Sequence, residues 1–132
     1  MDIYIEQIMD LHENPLNYGE LENADFSYED DNPLCGDTIR IEVKFDENGR
    51  VGDVAWSGEG CIISQISASL LTEEIKGMTL AEIKAFDKDT LLELIGVPLN
   101  MGRVKCALLS LKVLKAGAYG VPNPDEIHKD KS

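Results

Sequence analysis

Ile39, Ile41, Val43 and Phe45 alternate with Arg40, Glu42 and Lys44. A period of two predicts a β-strand buried on one face. Asp46-Glu47-Asn48-Gly49-Arg50 follows with the Asn-Gly pair that tight hairpins favour, and Val51, Val54, Ala55 and Trp56 make the return. Residues 38–58 are therefore expected to form an antiparallel hairpin. Its start is the stretch Asn32-Pro33-Leu34-Cys35-Gly36-Asp37, and its end is Ser57-Gly58-Glu59-Gly60-Cys61. The two ends of such a hairpin lie side by side, so its geometry brings Cys61 near Cys35.

The stretch at the start is rich in ligand types. Pro33 fixes its own φ and biases Asn32 away from helix, while Gly36 gives the backbone access to φ > 0. A rigid turn carrying a thiol (Cys35) and a carboxylate (Asp37) is the expected result.

The other segments read as helices and connections. Ile3, Ile5, Ile8, Met9 and Leu11 give residues 3–13 an amphipathic pattern that Asn14-Pro15 ends. Leu16 to Asp31 is polar, acidic and weakly patterned, with a short edge strand suggested by Phe26 and Tyr28. Ile62, Ile63, Ile66, Leu70, Leu71 and Ile75 predict a helix from Cys61 to about Lys76, with Gly77 as its stop. Cys61 then sits at a helix N-terminus, where the dipole and free N–H groups favour a thiolate. Thr79-Leu80-Ala81-Glu82 reads as a capping box opening a short helix, and another is expected from Asp87 to Ile95. Val104, Ala107, Leu108, Leu111 and Leu114 predict a last helix over 102–116, with Cys106 in its first turns. Residues 118–132, with Pro122 and Pro124, are expected to form a flexible tail behind a domain spanning 1–117.

Composition excludes several function classes. A net charge of −13 opposes nucleic-acid binding, which needs a phosphate-neutralising surface. Apolar runs are too short to span a bilayer, and the N-terminus lacks a basic and apolar leader, so a cytoplasmic location is expected. Three cysteines would leave one unpaired in any disulfide framework, and in a reducing compartment they read as metal ligands, nucleophiles or buried filler.

Cys35, Cys61, Cys106 and Asp37 together offer four ligands suited to tetrahedral zinc or, with the carboxylate as the weaker donor, to an iron–sulfur cluster. Burial as a small hydrophobe is the competing reading, strongest for Cys106 on its apolar helical face. It is weaker for Cys35 and Cys61, whose neighbours Gly36 and Gly60 suggest close-approach backbone. Asp37 reads equally well as a turn-former bonding its own backbone. No CxxC pair occurs, so the spacing alone is not diagnostic. A cysteine hydrolase would need a His base, and only His12 in the first helix and His128 in the tail exist. Gly58-Glu59-Gly60 is too short for a phosphate loop. No catalytic residue is expected.

Three motifs taken together carry a resemblance. Asn32-Pro33-Leu34-Cys35-Gly36-Asp37, then Gly58-Glu59-Gly60-Cys61-Ile62-Ile63-Ser64 with Ser67-Ala68-Ser69, then Arg103-Val104-Lys105-Cys106-Ala107 resemble the IscU/SufU/NifU N-terminal family. The segment from Glu13 to Gly19 is similar to the family's entry, and the likeness covers residues 1 to about 117. It implies an α+β fold with a small antiparallel three-stranded sheet and helices packed on one face. It also implies that Cys35, Cys61 and Cys106 bind a 2Fe–2S cluster, with Asp37 tuning its lability, and that sulfur arrives from a pyridoxal-phosphate cysteine desulfurase. Recipient apoproteins are the other implied partners, and a homo-oligomer stays open.

The departures from the family matter. Lys105 stands where IscU-type members carry a His, which is similar to the SufU branch, several members of which bind zinc and act in sulfur transfer. The interval from Cys61 to Cys106 nevertheless has an IscU-like length, without the SufU insertion. Pro98-Leu99-Asn100-Met101-Gly102 replaces the Leu-Pro-Pro-Val-Lys motif that recruits a dedicated Hsp70 chaperone. The expectation is a non-enzymatic scaffold that builds a 2Fe–2S cluster on three Cys plus Asp37. The alternative is a zinc-dependent sulfur acceptor that uses the same four residues. A structural zinc module ranks below both.

Overall fold

The computed structural model describes residues 3–32, 36–96 and 99–120. The expected turn at Pro33, Leu34 and Cys35, residues Val97 and Pro98, and everything beyond Gly120, including His128, lie outside the described residues. A helix α1 (Ile3–Glu13) precedes three strands, β1 (Phe26–Asn32), β2 (Asp37–Phe45) and β3 (Val51–Glu59). Four helices follow: α2 (Ile62–Glu74), α3 (Leu80–Ala85), α4 (Lys88–Ile95) and α5 (Met101–Tyr119). The fold is α+β, as the family resemblance implied.

The strands form one antiparallel sheet in the order β1-β2-β3. The alternation in β2 sorts its side chains as expected: Ile39, Ile41 and Val43 are buried in the core, against α2 and α5. Opposite them β3 supplies Val54 across from Val43 and Trp56 across from Ile41. The β2–β3 connection is wider than a two-residue Asn-Gly turn. Asp46 organises it, its Oδ1 accepting the N–H groups of Asn48 and Arg50 at 2.9 and 3.0 Å, while Gly49 takes φ +75°. A register shift between Lys44 and Phe45 accompanies it.

The acidic segment before β1 has more structure than its weak patterning predicts. Trp56 donates its indole N–H to the Leu16 carbonyl at 2.7 Å and its backbone N–H to Asn17 at 2.9 Å; Gly19 N–H returns a bond to the Trp56 carbonyl. Residues 16–19 thus cover the open edge of β3, a standard protection against strand–strand aggregation. On the opposite edge, β1 runs through Asn32, well beyond the short strand suggested by Phe26 and Tyr28.

Helix α2 lies under the sheet and is buried on nearly every side. Its apolar positions Ile63, Ile66, Ala68 and Leu71 enter the core, and Ser64, Ser67, Ser69 and Thr72 are fully buried too. Each of these hydroxyls is satisfied, as burial requires. Ser69 Oγ accepts from Leu16 N–H, and Thr72 Oγ1 accepts from the Asn17 side chain while donating back to the Ala68 carbonyl. The capping box at Thr79 is present, Asp87 caps α4, and Gly96 ends α4 in the left-handed region, all as their residue types predict. Helix α5 begins at Met101 and continues past Ala116 to Tyr119. It passes β1 so closely that a Cβ on Gly117 would lie 2.8 Å from Phe26 Cδ1.

Candidate metal and sulfur site

The site forms where the first residue of β2, the junction after β3 and the second turn of α5 meet. Asp37 pairs with Asn32 in the β1–β2 ladder, and Gly36 N–H closes the intervening loop onto the Asn32 carbonyl at 2.8 Å. The next pair in β2–β3 is Thr38 with Glu59, which brings the residues after β3 beside Asp37. Two glycines make that approach feasible. A Cβ on Gly58 (φ +145°) would lie 2.0 Å from the Thr38 carbonyl oxygen, and one on Gly60 (φ +153°) 2.2 Å from Asp37 Oδ1. The close-approach reading holds for Gly60 and not for Gly36, where a Cβ meets nothing within 4 Å and the φ of +71° alone calls for glycine.

Asp37 is wholly buried. An ionised carboxylate in such a place is costly unless it is bonded or bound to a cation. One oxygen, Oδ1, accepts the backbone N–H of Cys61 at 2.7 Å, from 24 residues along the chain. That bond crosses between two elements, so Asp37 does more than shape its own turn. The other oxygen, Oδ2, lies 3.6 Å from Cys61 Sγ, with the thiol as donor.

Cys61 occupies the N-cap of α2 with extended backbone, and its side chain makes no capping bond. Ser64 holds the cap residue instead: its hydroxyl donates to the Cys61 carbonyl at 2.9 Å and lies 3.8 Å from the sulfur. Gln65 ties the preceding residue by donating to the Gly60 carbonyl at 2.9 Å. The thiol is left half-buried, turned toward Asp37.

Cys106 comes from α5 and is 2% exposed, as its apolar helical position predicts. Its sulfur, the sulfur of Cys61 and a carboxylate oxygen of Asp37 all lie within 4.8 Å of one another. Neither cysteine is in a disulfide. Cys35, the fourth expected donor, lies outside the described residues.

The donor set suits a metal. Two thiol sulfurs and one carboxylate oxygen are zinc or iron ligands, and with zinc–ligand bonds of ~2.3 and ~2.0 Å the S···O edge of a tetrahedron is about 3.5 Å. The observed Cys61–Asp37 separation of 3.6 Å matches that edge. Oδ1 is bonded to the Cys61 backbone, and Oδ2 is the oxygen that meets the Cys61 thiol.

Lys105 is exposed beside Cys106 and lines an open cleft of about 290 Å³ with Asp31, Asn32, Leu108, Leu109 and Lys112. The Lys112 amine sits 3.0 Å from Asp30, a pairing that lowers the Asp30 carboxyl and raises the Lys112 amine. His12 is exposed on α1. The roles of Ser64 and Gln65 at the head of α2 have no signal in the sequence beyond a Ser one helical turn after Cys61.

Comparison with known proteins agrees with this geometry. The family model described as the NifU-like N terminal domain matches residues 3–123. The zinc-dependent sulfurtransferase SufU of Bacillus subtilis (strain 168) is 36% identical, over 87% of this chain and 88% of its own. The iron-sulfur cluster assembly scaffold protein IscU of Haemophilus influenzae is 33% identical, over 86% of this chain and 90% of its own. Among solved structures, FiSufU from Fervidobacterium islandicum AW-1 is similar at a TM-score of 0.71 and 29% identity, covering 89% of this chain and 96% of that one.

Proposed function

The chain belongs to the NifU-like N-terminal domain family, and from that premise we propose that it is an iron–sulfur cluster assembly scaffold. The observation that carries this reading is the convergence of Asp37, Cys61 and Cys106 within 4.8 Å at the meeting of three elements. Cys35 is joined to Asp37 through Gly36 alone and completes the set as its third sulfur. A 2Fe–2S cluster is the cargo here: it is assembled on these residues and passed to apoproteins.

Sulfur comes as the persulfide of a cysteine desulfurase. A scaffold thiolate attacks the outer sulfur, the donor's S–S bond breaks, and the desulfurase cysteine leaves as a thiolate. The transfer itself is redox-neutral; each sulfur then takes up two electrons, from ferrous iron and an external electron-donor protein, to become the bridging sulfide of the cluster. Of the two described thiols, half-buried Cys61 is more open to this attack than Cys106. The chain's own part is to bind and hold. Asp37, a hard oxygen among soft sulfurs, is the donor most readily given up, which suits a site that must release its load. Backbone anchoring of Oδ1 keeps the carboxylate in place when Oδ2 lets go.

A second reading has specific support: a zinc-dependent sulfur acceptor. The 36% identity to the Bacillus subtilis sulfurtransferase and Lys105 in place of a His ligand both favour it. Zinc would occupy the same four residues and hold the thiols as thiolates.

The absorption spectrum and the iron, sulfide and zinc content of anaerobically purified protein separate the two. Equal iron and sulfide with visible charge-transfer bands supports the scaffold. Stoichiometric zinc, with desulfurase turnover raised by the protein, supports the sulfur acceptor. Neither metal nor any effect on a desulfurase would remove both.

A further inference from the structure

We propose that Ser67 is a positioning residue for the metal site, holding the turn of α5 that carries Cys106 in register with the head of α2 that carries Cys61. The inference rests on the ligand reading of those cysteines and adds the element that sets their spacing. Cys61 and Cys106 belong to different helices, so the distance between their sulfurs depends on how α2 and α5 are placed along each other. Packed apolar side chains tolerate small sliding; a buried hydrogen bond to a fixed carbonyl does not.

Ser67 supplies such a bond. It lies in the second turn of α2 and is fully buried. Its hydroxyl donates to the carbonyl of Ala107, the residue after Cys106, and lies 2.8 Å from the hydroxyl of Ser110. A serine has one hydroxyl proton. Ser67 gives its proton to Ala107, so Ser110 must be the donor in the hydroxyl pair. The two serines thus form a directed chain, Ser110 to Ser67 to the Ala107 carbonyl, with both hydroxyls shielded from water. Such a chain is strong where solvent cannot compete. It grips α5 one residue from the ligand.

Ser69 provides the contrast. It is equally buried on the same helix, yet its hydroxyl accepts from Leu16, on the side of the β3 edge and away from α5. Ser67→Ala and Ser69→Ala each remove one buried hydroxyl, and only the first releases the turn that carries Cys106.

The test uses the full chain titrated anaerobically with Zn²⁺ and, for its spectrum, with Co²⁺. Ser67→Ala is expected to lower Zn²⁺ affinity by about tenfold or more, the range seen when partners behind metal ligands are lost. It should also shift the Co²⁺ d–d bands, while Ser69→Ala changes neither. Should Ser67→Ala not fold, Ser110→Ala decides, with a shift of the same sign and smaller size. Equal Zn²⁺ affinity and an unchanged Co²⁺ spectrum in the folded variants would overturn the proposal and leave Ser67 a stability residue only. A wild-type protein without sulfur-to-cobalt charge transfer would instead count against the ligand reading itself.

Discussion

The backbone N–H of Cys61 donates to Asp37 Oδ1 at 2.7 Å, fixing one carboxylate oxygen and leaving the other 3.6 Å from the Cys61 sulfur. A single residue pair therefore ties β2 to the head of α2 and sets an oxygen beside a thiol. This division of labour within one carboxylate distinguishes two substitutions. Asp37→Asn keeps an acceptor for Cys61 N–H and loses the anionic ligand. Asp37→Ala loses both, leaving the part-buried Cys61 N–H unpaired at a cost of about 1 kcal/mol. Chemical denaturation should show the Ala variant clearly less stable than the Asn variant, and metal titration should show both weakened. Equal stability of the two would mean that the Oδ1 bond contributes nothing.

Gly60 permits this pair to form. Gly60→Ala puts a Cβ 2.2 Å from Asp37 Oδ1, whereas Gly19→Ala, at a similar φ of +149°, meets nothing within 4 Å. Both carry backbone strain of order 1–3 kcal/mol, so their difference isolates the clash. Thermal unfolding should find Gly60→Ala the more damaging, and only that variant should lose metal affinity.

Trp56 fixes the segment that covers the β3 edge. Trp56→Phe removes the indole donor to the Leu16 carbonyl, a bond worth about 0.5–1.5 kcal/mol net. Hydrogen exchange at the amide of Gly19, which donates to the Trp56 carbonyl, should accelerate well beyond any global loss of stability. Unchanged protection there would show that the backbone bonds alone hold the segment.

Among the described residues, four carboxylates are held below their ordinary range by hydrogen bonds: Asp30 by Lys112 and the Asp31 amide, Glu73 by Lys76 and Asn17, and Glu82 and Asp87 by the caps that they form with Thr79 and Thr90. A depressed folded-state value means that the unfolded chain binds protons first. Their stabilisation is thus fully present above the ordinary carboxylate range, about pH 4, and is lost as the pH falls through the lowered values. All four are at the surface, so each effect is small and screened by salt. Denaturation midpoints should drop below about pH 4, and Asp30→Asn should reduce that drop. A midpoint flat across this range would contradict the assignment.

Much of the fold was legible in the chain because its signals are local. The period of two in Ile39–Phe45, the Thr79–Glu82 box and Gly96 as a helix stop each act within a few residues, and each appears where expected. Hairpin geometry puts Cys61 back beside the start of β2, where Asp37 stands; Cys35, the residue expected next to it, lies outside the described residues. What stayed hidden depends on contacts distant in sequence. Residues 16–19 have no pattern of their own, because their structure comes from Trp56 and from Ser69 and Thr72 of α2. The partners of the α2 serines are likewise out of reach of the sequence: Ser67 bonds α5 and Ser69 accepts from Leu16, each across a long stretch of chain. Cys106 carried two readings, core filler or ligand, and its neighbours in space give it a place in both.

The central claim is that Cys35, Asp37, Cys61 and Cys106 act as one donor set. Zinc-edge X-ray absorption on zinc-loaded protein tests it most directly. The predicted result is three sulfurs at about 2.3 Å and one oxygen at about 2.0 Å, with the oxygen lost or replaced in Asp37→Ala. A spectrum dominated by nitrogen and oxygen ligands, or one untouched by that substitution, would contradict it.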